Sequence, residues 1–250
     1  MLGDPVFFAI AIPAMVFAGI SKGGFGSGAD FAAVLILALV IDPGVALAVM
    51  LPLLMVVDAA LLRPYWRRWS WPDARILILG GVPGVLVAML VWRVVPTDVL
   101  RMIIGLIALG FVAWQLFGAG KLARSAERAF PAWVGWIAGC FAGFTSFVSH
   151  AGGPVVGVYL LSRGLGKTTY QSTIVLCFGV INLLKAVAYT ALGLFTSETL
   201  QVDLALAPFA LLGAWIGVKA HRLVPEQLFF AITYVLLTGA GTKLIWDALS

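Results

Sequence analysis

Apolar residues run along this chain in long blocks and do not alternate as they would in a half-buried strand. A helix that crosses a bilayer needs roughly 20 mostly apolar residues. The blocks Val45–Leu62, Ile76–Trp92, Val99–Phe117, Ile174–Leu194, Leu204–Ala220 and Leu228–Trp246 approach or reach that length. Others are shorter: Val6–Ile20, Phe31–Ile41, Trp133–Phe144 and Val155–Leu161. The short blocks form two pairs. A polar, glycine-rich break divides each pair: SKGGFGSGAD in the first half and TSFVSHAGGP in the second. The pattern predicts an all-α polytopic membrane protein of ten segments, with each short pair a broken or re-entrant helix.

Composition agrees with that class. Of 250 residues, 62% are hydrophobic and 11% charged, against about 25% charged in a soluble domain. The longest polar stretch, Gly118–Pro131, is a short loop, so one integral membrane domain without an appended soluble module is expected. The start, MLGDPVFF, lacks the basic residues of a cleavable signal, and the first block is expected to be retained. Cys140 and Cys177 lie inside apolar blocks, which favours neither a disulfide framework nor a thiolate metal site. No cofactor is expected. The net charge of +5 sits in short loops, where it is a topology signal and not a nucleic-acid footprint.

Those loops orient the chain. Arg63, Arg67, Arg68 and Arg75 crowd one loop, Lys121, Arg124 and Arg128 a second, and Arg163 and Lys167 mark a third. The positive-inside rule puts all three in the cytoplasm. The loop Phe195–Asp203 carries Glu198 and Asp203 without a basic residue and is expected outside, as are both termini. Trp66, Trp69, Trp71, Trp92, Trp133 and Trp246 near segment ends read as interfacial belts, and Lys219, His221 and Arg222 mark another interface.

The halves resemble each other. GVLVAMLVWRVVP (Gly84–Pro96) aligns with GAWIGVKAHRLVP (Gly213–Pro225), and Ala18-Gly19 aligns with Ala142-Gly143, each just before a break. Each half then has five segments, and an odd number gives the halves opposite orientation. The expected organisation is two inverted repeats, residues 1–120 and 121–250, a recurring plan among transporters built from broken helices.

Backbone N–H and C=O groups cannot be left bare in hydrocarbon. A break at membrane depth therefore lies against protein or a watery cavity, and the two breaks are where a site is expected. Helices restarting near Phe31 and Pro154 would aim free N–H groups and positive dipole ends into that cavity, an arrangement that favours a small anion. Proline suits a first helical turn. From the first break, Ser21, Lys22, Gly23, Gly24, Gly26 and Ser27 are candidate substrate ligands; from the second, Ser146, Ser149, His150, Gly152 and Gly153. Asn182 and Lys185 join them from the apolar block Ile174–Leu194. A lysine at that depth costs roughly 2.5–3.5 kcal/mol on insertion scales and faces the interior as a rule. An ion pair between Lys185 and Asp58 is the structural alternative. Asp30 reads as an N-cap, and Gln171, Ser172 and Thr173 as cap residues before a long helix.

SFVSHAGGPVVGVYLL (Ser146–Leu161), with the downstream INLLKAVAY, resembles the TauE/SafE sulfite-exporter family, and the resemblance extends over essentially the whole chain. It implies membrane transport of sulfite or other sulfur-containing anions such as organosulfonates, in the inner membrane of a bacterium. Many members carry a richer glycine run in the first break, where this chain has Lys22.

A secondary transporter working by alternating access is the reading that follows, with an anion channel or a carrier for small carboxylates as the alternative. A small anion and the lipid bilayer are the expected partners; a coupled proton or other ion and the oligomeric state are left open. No GxxxxGK[ST] string is present, so the chain has no P-loop for ATP hydrolysis. His150 and His221 lie far apart with no carboxylate pattern around either, so an enzyme is not expected.

Overall fold

Proline and aspartate set where the helices begin. In the computed structural model, which describes residues 1–25, 29–117, 129–220 and 226–250, the Asp4 carboxylate accepts from the Val6 N–H at 2.9 Å and starts α1 (Pro5–Ile20). Asp42 does the same for α3 (Pro43–Leu62), accepting from the N–H of Gly44 at 2.8 Å and of Val45 at 3.3 Å. In both, proline follows the cap, where its missing N–H costs nothing.

The remaining helices are α2 (Phe31–Ala38), α4 (Trp71–Val94), α5 (Thr97–Phe117), α6 (Ala132–Ser149), α7 (Gly153–Ser162), α8 (Lys167–Ala191), α9 (Ser197–Ala220) and α10 (Glu226–Leu249). Among the described residues, 8 are long and apolar enough to cross a membrane. The chain is thus an all-helical, multi-pass membrane protein. Two segments expected to be short are full length. α1 continues through a π-helical turn, Ser21–Phe25, so that Pro5–Gly24 forms one apolar span. α6 does not stop at Phe144 but runs on to Ser149. The half-length helices are α2 and α7. At 1.5 Å per residue they reach only about 12 and 15 Å, against a hydrocarbon core of about 30 Å. α2 is buried almost all round, so its neighbours and not lipid surround it.

Small residues decide which helices lie together. α1 runs along α9, and α4 along α6. A Cβ on Gly213 would collide with the Val16 carbonyl, and one on Gly217 with the Ile20 carbonyl, so the two chains run in the same direction in close backbone contact. On the other pair, Gly80 lies against the Trp136 carbonyl and Gly84 against that of Cys140. These are Gly-x-x-x-Gly pairs, whose bare face lets helices approach where lipid offers no hydrophobic force to drive them together. The contacts are reciprocal between the halves. The first helix of each half packs on the fourth of the other, α3 packs on α8, and α5 on α10. The correspondence is not complete. α10 packs on α2, whereas an apolar cavity of about 770 Å³ opens between α5, α6 and α7.

Three expectations fall on residues outside the described ones: the basic loop of Lys121, Arg124 and Arg128; His221 and Arg222; and the candidate ligands Gly26 and Ser27. Lys219 stands over the Trp215 ring, 3.6 Å from its centre, a cation–π contact at the end of α9.

Candidate functional site

The two breaks end their helices differently. In the first, the π turn slides Gly23 and Gly24 against the backbone of Ala214 and Gly217 of α9, leaving no room for a side chain. Their bareness serves helix contact, and Lys22 between Ser21 and Gly23 is turned inward. In the second, α6 stops because His150 takes the left-handed conformation, φ 56° and ψ 14°. That is uncommon for a residue with a Cβ, though histidine tolerates it better than most. The His150 N–H closes on the Ser146 carbonyl at 3.0 Å and the Ala151 N–H on that of Thr145 at 3.4 Å. The reversal needs only His150–Gly152 before α7 begins, a much shorter break than TSFVSHAGGP suggests.

One polar network joins the breaks through α3 and α8. The Lys22 ammonium meets Asp58 Oδ1 at 2.5 Å. The other carboxylate oxygen of Asp58 accepts from Asn182 Nδ2 at 2.8 Å. Asn182 Oδ1 in turn accepts from Lys185 Nζ at 3.3 Å. The partners settle the amide's orientation, because a carboxylate only accepts and an ammonium only donates. Lys185 also donates to Ser146 Oγ at 3.1 Å and to His150 Nδ1 at 2.6 Å. Facing an ammonium, Nδ1 must be the lone-pair nitrogen, so the proton sits on Nε2, which donates to the Leu47 carbonyl at 3.3 Å.

Lys185 is fully buried, at 0% exposure. Its three partners are neutral acceptors, and among the described residues no carboxylate lies within ion-pair distance of it. The expected Asp58 partner is already held by Lys22. Lys185 also does not line the cavity at the centre of the network. Ser146, His150 and Asn182 do, with Lys22, Asp30, Asp58, Gly153 and Gln171. Lys185 thus stands behind the wall and donates to three of the groups that form it, Ser146, His150 and Asn182. The cavity, about 30 Å³, has room for a water or two.

Asp30 is buried, and its side chain makes no cap hydrogen bond. Asp30 therefore holds the N-cap position of α2, as read from sequence, but its carboxylate caps no N–H and instead lines the cavity. The cap reading of Gln171, Ser172 and Thr173 is corrected. α8 already begins at Lys167, and Gln171 reaches the Lys22 carbonyl with Nε2 at 3.5 Å. Ser172 Oγ donates to the Tyr65 carbonyl and Thr173 Oγ1 to that of Thr169.

The candidate ligands therefore divide. Lys22, Ser146, His150, Gly153 and Asn182 surround the cavity, with Lys185 behind them. Ser21 is buried with its Oγ unpartnered. Ser149 Oγ is turned back to the Thr145 carbonyl at 3.0 Å, and a Cβ on Gly152 would meet the Ala142 carbonyl and the Phe178 ring. Asp30, Asp58 and Gln171 line the cavity without having been singled out as ligands from sequence. For Asp58 a signal existed: a carboxylate inside an apolar block, one turn before a basic loop.

A family model described as "Sulfite exporter TauE/SafE" matches residues 11–244. Neither the search of curated proteins nor that of solved structures found a match.

Proposed function

The chain belongs to the sulfite exporter TauE/SafE family, a family of membrane transporters and not of enzymes, and from that premise we propose that it is a secondary transporter of small sulfur-containing anions, of the sulfite or organosulfonate class. The observation that carries the reading is Lys185. A lysine with no carboxylate partner among the described residues, buried behind Ser146, His150 and Asn182, readies the cavity wall for negative charge: an entering anion supplies the counter-charge that favours the ammonium form and is attracted by it. Low local dielectric strengthens that attraction. Ser146 Oγ–H, the Lys22 ammonium and the backbone N–H groups at the start of α7 are the donors an oxyanion would meet. Asp30 opposes them, so an entering anion is accommodated with Asp30 neutral or set against Lys22.

The transporter works by alternating access. Residues 1–120 and 121–250 form inverted repeats; the reciprocal packing of α1 on α9 and α6 on α4 supports this. Lys22 and Asp58 lie toward the end of α3 that leads into the basic loop, whereas His150 reaches Leu47 near the other end. The two breaks thus guard opposite approaches to one cavity. The contracted cavity reads as a closed stage of the cycle, which widens when the anion enters. The chain sits in the bacterial inner membrane with the basic loops in the cytoplasm and both termini outside.

The test is uptake of labelled sulfite into proteoliposomes by the native chain and by Lys185→Gln. Saturable uptake with counterflow, reduced tenfold or more in the variant, is the expected result; tenfold corresponds to about 1.4 kcal/mol. Uptake unchanged in Lys185→Gln removes Lys185 from the site. Uptake without saturation or counterflow indicates a channel. No sulfite uptake by folded native protein turns the search to organosulfonates and small carboxylates.

A further inference from the structure

Asp203, on α9, is the one buried side chain among the described residues whose carboxylate oxygens both lack a hydrogen-bond partner. It is 6% exposed. Its neighbours along the helix, Val202 and Leu206, are fully buried, so it belongs to the packed face of α9. The register of Gly213 on Val16 and Gly217 on Ile20 places Asp203 beside the first half of α1. That is close to where the Met1 ammonium holds Glu198 at 2.8 Å.

An ionised carboxylate with no donor in apolar packing is among the least favourable arrangements a protein can hold; such a group takes a proton instead. The charged groups on the elements packed against α9 do not change this. Asp4 is spent on the Val6 N–H, Asp42 on the start of α3, and Asp58 and Lys22 on each other. On α9 itself, Glu198 holds Met1 and Lys219 stands over Trp215. None of them reaches Asp203.

We propose that Asp203 is a proton-carrying site of the transport cycle. Closing the Met1–Glu198 end of α1, α3 and α9 takes one proton from water onto the Asp203 carboxylate, and opening that end releases it to water. The inference rests on the reading of the chain as a carrier that alternates between states. α9 links this group to the anion site directly. Its Ala214 and Gly217 back the π turn that carries Lys22, and α9 packs on α3, which carries Asp58. A movement of α9 that opens one end therefore moves the wall of the cavity.

The experiment uses labelled sulfite and proteoliposomes of native protein and of Asp203→Asn, with the membrane potential clamped and a pH gradient imposed. One coupled proton changes steady-state sulfite accumulation about tenfold per pH unit of gradient. The native protein is expected to follow that slope. Asp203→Asn is expected to lose the slope while keeping sulfite–sulfite exchange at equal pH. A variant that keeps the slope overturns the proposal. If Asp203→Asn does not fold, Asp203→Glu replaces it: a retained slope with a shifted pH midpoint supports the proposal, and an unshifted midpoint overturns it. If folded native protein takes up no sulfite, the sulfite reading fails, and infrared spectroscopy of the native protein decides the question of Asp203. A protonated-carboxyl band that titrates with pH supports the proposal; no such band, or one that never titrates, overturns it.

Discussion

At the scale of the residue, the cavity depends on two lysines in different electrostatic situations. Lys22 has a carboxylate in contact, and both side chains are nearly excluded from solvent, 12% and 7% exposed. Removing one partner of such a pair leaves the other charge uncompensated, at a cost of about 3–5 kcal/mol. Asp58→Asn is therefore expected to lower the thermal unfolding temperature of the purified protein markedly. The double replacement Lys22→Met with Asp58→Leu should recover most of that stability, because two apolar side chains carry no desolvation penalty, yet it should not transport. His150 offers a second separation, between backbone and ring. At φ 56° an L-residue is strained by roughly 1–2 kcal/mol and glycine is not. His150→Gly should thus unfold at a higher temperature than His150→Ala, while both lose the ring that accepts from Lys185.

At the scale of the element, the close parallel pairs α1–α9 and α4–α6 hold the two breaks in place. Gly84 illustrates the constraint, since a Cβ there would fall on the Cys140 carbonyl, a backbone atom that cannot turn away. Gly84→Ala is expected to force the pair apart and cost about 1–3 kcal/mol, the usual range for overpacking. Gly110, on α5, has nothing within 4 Å of the corresponding position. Gly110→Ala should be neutral or gain up to about 1 kcal/mol from the higher helix propensity of alanine. Thermal unfolding of both variants in one detergent compares them directly. Equal effects would mean that the glycine contacts do not limit helix approach.

At the scale of the whole molecule, the helices long and apolar enough to cross a membrane number 8 among the described residues, and an even number predicts that the two ends of the chain share a face. The half-length α2 and α7 are two, so the number stays even whether or not they are counted as crossings. Gly3→Cys and Ser250→Cys, each in a chain with Cys140→Ser and Cys177→Ala, should both react with an impermeant maleimide added to intact cells. A cysteine placed at Arg67 should react only after lysis. If one terminus alone reacts in intact cells, the even number of crossings is wrong. If both termini stay silent until lysis, the number stands and the orientation reverses.

The sequence by itself determined the class of the protein and the neighbourhood of the candidate site. Long apolar blocks have one stable form in lipid, a helix that satisfies its own backbone, so length and composition were enough to place six of the 8 helices long enough to cross, but not the full length of α1 and α6. The polar residues within those blocks, Lys22, His150, Asn182 and Lys185, stood out because burying them is costly, and the fold brings them into one network. Tertiary structure decided the rest. Whether Lys185 or Lys22 takes Asp58 depends on which helices cross where, and that is set by Gly-x-x-x-Gly faces whose partners lie far apart in sequence. The same holds for the extent of the breaks. A π turn and a single left-handed histidine end the helices, because packing of α1 on α9 and of α6 on α4 holds conformations that local propensity alone would not select. Asp203 was read as a loop carboxylate and is instead enclosed by packing on α9, since burial without a partner is a property of neighbours and not of the residue.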